Sequence, residues 1–123
     1  MKILIVEDDK IMSDNLVALL TPEGFEVEVA SDGVDALKMI VDTKPALIIT
    51  DILMPNLSGL ELLNIYKSQL FENTPVVVIS SMEGYDVQYF SIAVGAAAYF
   101  VKPYSGVEVV QTVNELLAKT VEP

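Results

Sequence analysis

The stretch Ile3-Leu4-Ile5-Val6-Glu7-Asp8-Asp9 sets four consecutive aliphatic side chains directly against three acids. Apolar residues without polar alternation suit a strand covered on both faces, as in a parallel sheet. The same pattern recurs from Ala46 to Thr50, which runs into Asp51, and from Pro75 to Ile79, which runs into Ser80-Ser81. It recurs again from Ala98 to Val101, which runs into Lys102-Pro103. Phe25-Glu26-Val27-Glu28-Val29 alternates strictly instead, as an edge strand with one wetter face does.

Stripes of helical period separate these runs. They are Met12, Leu16, Leu19 and Leu20; Val34, Leu37 and Val41; Leu62, Leu63 and Tyr66; Val87, Phe90 and Val94; and Val109, Val113 and Leu116. Each recurs at three or four residues, the spacing of one helix face. Ser58…Glu61 and Ser105…Glu108 read as capping boxes, and Thr21-Pro22-Glu23-Gly24, Pro45, Pro75 and Gly95 read as stops. Five strand-helix units predict an α/β fold, a doubly wound parallel sheet with helices on both faces and right-handed crossovers. No linker or repeat interrupts the pattern, so residues 1–123 read as a single domain.

Composition narrows the chemistry. The 123 residues include no cysteine and no histidine, which excludes disulfides, thiolate or imidazole metal sites and a Ser-His-Asp triad. Chemistry must rest on carboxylates, hydroxyls, lysine and the backbone. With 18 acidic and 7 scattered basic residues, a net charge of -11 argues against direct nucleic-acid binding. No stretch approaches the roughly 18 apolar residues of a membrane span, and the short apolar N-terminus does not make a signal peptide. The reading is a soluble cytoplasmic domain with no membrane insertion.

In open α/β sheets, sites form beyond the carboxyl ends of the strands. That edge gathers Glu7, Asp8 and Asp9, Asp51, Ser80 and Lys102. Crowded carboxylates repel unless a cation joins them, and Mg²⁺ takes one or two carboxylates, waters and often a phosphate oxygen. A lysine and a hydroxyl beside such a group suit phosphoryl transfer onto the carboxylate itself. Singly, each residue has a plainer reading. Asp9 reads as the N-cap of the first helix, Ser80…Glu83 fits a capping box, Lys102 could be a solvated surface lysine and Asp51 a loop cap. Only their joint placement at strand ends points to a shared site.

Four motifs in order resemble the receiver domain of two-component response regulators over nearly the whole chain. They are Ile3-Leu4-Ile5-Val6-Glu7-Asp8-Asp9, Ile48-Ile49-Thr50-Asp51-Ile52-Leu53-Met54-Pro55 with Ser58-Gly59, Val78-Ile79-Ser80-Ser81, and Tyr99-Phe100-Val101-Lys102-Pro103. The resemblance implies a flavodoxin-like three-layer sandwich with strand order 2-1-3-4-5 and five helices. It makes Asp51 the phosphoacceptor, Ser80 the switch hydroxyl and Lys102 the contact to the phosphoryl group. It makes Asp8 and Asp51 ligands of Mg²⁺, with Mn²⁺ able to substitute, Glu7 acting through a water and Leu53 contributing its backbone carbonyl. It also implies a cis Lys102-Pro103 bond, an isomer proline tolerates.

The partners implied are a sensor histidine kinase or phosphotransfer protein and a downstream output protein or domain. The resemblance also implies that phosphorylation draws Ser80 inward, that Tyr99 follows, and that the surface of the fourth helix, fifth strand and fifth helix changes shape. The domain would be a switch that catalyses its own phosphorylation and dephosphorylation, not a metabolic enzyme. Tyr85, Gln88, Tyr89 and Ile92 form a second stripe on the fourth helix, which with Tyr99 offers a face to a partner or is an ordinary surface with exposed aromatics. The fifth helix, Val107-Glu108-Val109-Val110-Gln111, lacks the charged ladder through which DNA-binding regulators dimerise.

Ser80 replaces the commoner threonine, and Ser81 stands where alanine is usual. Apolar Leu53 and Met82 occupy positions that tune hydrolysis in the family, which implies slow loss of the phosphoryl group. Two other readings compete. A phosphorylation-independent pseudo-receiver usually lacks an acid or the lysine, and all are kept here. A Mg²⁺-dependent phosphohydrolase with an aspartyl nucleophile would need a second aspartate where Leu53 stands.

Overall fold

The computed structural model describes residues 1–51, 74–80 and 95–121. The strands are β1 (Lys2–Val6), β2 (Glu26–Ala30), β3 (Leu47–Thr50), β4 (Val76–Ser80) and β5 (Ala98–Val101). All pair in parallel in one sheet of order β2-β1-β3-β4-β5. The described helices are α1 (Lys10–Leu20), α2 (Gly33–Thr43) and, closing the fold, α3 (Gly106–Val121). The predicted helical stripes at Leu62, Leu63 and Tyr66 and at Val87, Phe90 and Val94 lie outside the described residues.

The two-residue alternation of a strand divides the core into two layers. Leu4, Val6, Ile48, Val76 and Val78 face α2, where Ala36 and Ile40 meet them. Ile3, Ile5, Leu47, Ile49, Val77 and Ile79 face the other way, against Leu16 and Leu20 of α1 and Val109, Val113 and Leu117 of α3. Both faces of β1, β3 and β4 are thus covered, which is why these strands carry no alternation.

Two expectations are corrected. Val34 and Val41 do not form the buried stripe of α2: they are 45% and 52% exposed, and the face turned inward carries Gly33, Ala36 and Ile40. Gly33 and Ala36 are small, and a pattern that weighs hydrophobicity alone passes over them. Ala98–Val101 is apolar throughout yet half-buried along its length, because β5 is an edge of the sheet.

Local signals set the ends of elements. Asp9 is the N-cap of α1, its Oδ1 accepting from the Ile11 and Met12 amides at 2.9 and 3.3 Å. After α1 the chain turns through a short 3₁₀ segment, Thr21–Glu23, and reverses at Gly24, whose φ of 94° suits a residue without a Cβ. The Ser105 hydroxyl accepts from the Glu108 amide at 3.3 Å at the start of α3, as half of the predicted capping box.

Candidate functional site

Parallel strands bring their carboxyl ends to one edge, and the backbone ladders extend one residue past three of them. The Glu7 amide donates to the Ala30 carbonyl at 3.0 Å, Asp51 to Val6 at 3.1 Å and Lys102 to Ser80 at 2.8 Å. Glu7, Asp51 and Lys102 therefore leave the sheet from fixed backbone positions.

Their side chains converge. Lys102 Nζ lies 2.8 Å from Glu7 Oε1 and 2.9 Å from Asp51 Oδ2. The three side chains are only 4%, 11% and 16% exposed for Glu7, Asp51 and Lys102. Asp8 is exposed at the rim, and one carboxylate oxygen each from Glu7, Asp8 and Asp51 lie within 4.8 Å of one another. Asp9 stays apart at its cap, although its amide donates to Glu7 Oε2 at 3.4 Å.

The electrostatics follow from burial. Desolvation raises the Glu7 pKa, the Asp51 charge adds to the rise, and the hydrogen bond from Lys102 opposes it. For Lys102, burial alone would favour the neutral amine, but the hydrogen bonds and charges of Asp51 and Glu7 together raise its pKa. The ammonium is held charged between two carboxylates. Three hard oxygen donors with one face at the rim also suit a small divalent cation, whose charge would relieve the repulsion that Lys102 only partly offsets.

Ser80 is fully buried, and Tyr99 is half-buried against the α2-side core. Burial raises the Tyr99 pKa, the neighbouring Ser80 hydroxyl opposes the rise, and the Asp51 charge adds to it. The register explains the meeting: Val78 pairs with Tyr99, and Ser80, two residues on, shares Val78's face of the sheet. The Lys102-Pro103 peptide is cis. Leu53, Gln88, Tyr89 and Ile92, with Ser81, Met82 and Glu83, lie outside the described residues.

One participant was not singled out from sequence. The hydroxyl of buried Thr50 donates to the Asp51 carbonyl oxygen at 2.9 Å. Its signal was a lone hydroxyl closing an otherwise aliphatic strand.

Comparison with known proteins places this geometry. A model of the response regulator receiver domain matches residues 3–114. The chain is 32% identical to the response regulator MprA of Mycobacterium avium (strain 104) over 120 residues, 98% of this chain and 52% of that protein. It thus spans about half the length of that relative. Among solved structures, the Francisella response regulator 1452 receiver domain superposes with a TM-score of 0.92 at 32% identity, covering 97% of this chain and 98% of that one. NtrX from Brucella abortus, in complex with ADP, gives a TM-score of 0.89 at 30% identity, covering 97% of this chain but 27% of that one.

Proposed function

The chain belongs to the response regulator receiver family, whose members are signalling switches, and from that membership we propose that Asp51 accepts a phosphoryl group from a histidine kinase or phosphotransfer protein. The observation that carries this reading is the Lys102 ammonium seated between the Glu7 and Asp51 carboxylates at 2.8 and 2.9 Å. A buried carboxylate paired with a fixed ammonium is a nucleophile beside a charge sink for the group it receives.

In the proposed reaction an Asp51 oxygen forms a bond to phosphorus while the bond from phosphorus to the donor histidine breaks. Lys102 turns from carboxylate partner to phosphoryl partner and neutralises the charge on the transferring oxygens. Glu7, Asp8 and Asp51, with the Leu53 carbonyl, are the residues that would hold Mg²⁺, or Mn²⁺ in its place. When bound, the cation supplies further neutralisation of phosphoryl charge.

Ser80 turns from Tyr99 toward a phosphoryl oxygen, and Tyr99 adjusts with it. The two arrangements are states in equilibrium, and the phosphoryl group acts by favouring one of them. The readout would be the surface that includes β5 and α3, with Gln88, Tyr89 and Ile92 among its residues, and its receiver an output protein or domain. On this reading residues 1–123 act as one cytoplasmic receiver domain with five helices.

The test is intact-mass spectrometry after incubation with Mg²⁺ and acetyl phosphate, with Asp51→Asn in parallel. The expected outcome is gain of one phosphoryl group by the wild type alone. A wild type that binds Mg²⁺ but gains nothing would point to a phosphorylation-independent module.

A further inference from the structure

β3 reads Leu47-Ile48-Ile49-Thr50, and all four residues are buried. Valine would fill Thr50's place with no polar atom, and a buried hydroxyl without a partner is costly. Here the hydroxyl has one, the carbonyl oxygen of the next residue, Asp51, at 2.9 Å. The Asp51 amide is held as well, donating to the Val6 carbonyl at 3.1 Å.

Those two bonds act on the peptide planes on either side of the Asp51 α-carbon. With both planes fixed, the direction in which the carboxylate leaves the backbone is fixed too. Thr50 is itself clamped across the sheet, pairing with Val6 on β1 and Val78 on β4, both fully buried. The hydroxyl therefore acts from a rigid seat, as a group that aligns a reacting atom must.

We propose that Thr50 is a positioning residue for phosphoryl transfer: by holding the Asp51 carbonyl oxygen, its hydroxyl aims the Asp51 carboxylate at the incoming phosphorus. The inference rests on the reading of Asp51 as acceptor. With acetyl phosphate as donor, an Asp51 carboxylate oxygen forms the bond to phosphorus, the bond from phosphorus to the acetyl oxygen breaks, and acetate leaves. Thr50 touches neither the donor nor the phosphoryl group, and its effect is on how often the carboxylate is aligned.

The experiment compares wild type, Thr50→Val and Thr50→Ser. It measures the phosphorylation rate over a range of acetyl phosphate at saturating Mg²⁺, Mg²⁺ affinity by tyrosine emission, and the urea unfolding midpoint. Thr50→Val keeps the shape and removes the hydroxyl, and Thr50→Ser keeps the hydroxyl. The expected result for Thr50→Val is a maximal rate lower by about tenfold, since small misplacements of a reacting group cost rate steeply. Its half-saturating donor concentration and unfolding midpoint should stay near those of the wild type, and its Mg²⁺ affinity should weaken. Thr50→Ser should recover both rate and affinity.

A Thr50→Val protein with wild-type rate or wild-type Mg²⁺ affinity would overturn the proposal. So would a Thr50→Ser protein impaired as much as Thr50→Val, because packing would then be the cause. A wild type that takes up no phosphoryl group would overturn the functional reading and this one with it. Phosphorylation of the wild type with an indifferent Thr50→Val would overturn this one alone.

Discussion

Glu7 lies within hydrogen-bond reach of an ammonium and still holds its proton more readily than a solvated glutamate, because burial and the Asp51 charge outweigh Lys102. The folded protein therefore binds more protons at Glu7 than the unfolded chain does, from about the ordinary glutamate value of 4.5 upward. Stability falls as pH rises through that window, and the loss is complete above the raised folded value. Glu7→Gln removes the ionisation while keeping the shape. In metal-free buffer the variant should gain stability over the wild type as pH rises above 4.5, and the gain should level off above the raised folded value. Urea midpoints across that range check it; a gain that shrinks with rising pH would contradict the sign. The same variant should bind Mg²⁺ more weakly, so the residue that strains the metal-free fold is the one that serves the site.

Helix α2 shows how far an element can be read from its residues. Of its stripe Val34, Leu37 and Val41, only Leu37 packs partly against the core, beside the fully buried Ala36 and Ile40, while the two valines are exposed. The inward face carries two small residues, Gly33 and Ala36, beside Ile40. Ile40→Ala should then cost about 2–5 kcal/mol, the usual range for emptying a filled core position. Val41→Lys should change stability by no more than about 0.5 kcal/mol. Equal losses in thermal unfolding of the two variants would reverse the assignment of faces. The strands were more legible, because a run such as Ile3-Leu4-Ile5-Val6 has no polar residue to place outside and so demands cover on both faces. The acids and lysine of the site were legible for the same reason, each standing where an apolar run stops. Thr50 was harder to find, because threonine is at home in any strand and only its bond to the Asp51 carbonyl distinguishes it.

The whole molecule carries a net charge of -11, and self-repulsion opposes its compact state. Added NaCl should raise its unfolding midpoint by screening, with most of the effect reached once the Debye length falls to about 10 Å. MgCl₂ at matched ionic strength should raise the midpoint further, because a ligand of the folded state adds about 2.7 kcal/mol at a hundredfold excess over its dissociation constant. Asp51→Asn should abolish most of that excess, and equal effects of the two salts on the wild type would count against a cation site. The ion triad has a consequence at this scale as well. Lys102 and Glu7 are 95 residues apart in sequence and meet only when β5 has joined the sheet. During synthesis, Glu7 and Asp51 leave the ribosome long before Lys102 does. A growing chain thus holds two carboxylates with no ammonium between them, and the triad closes only when β5 docks.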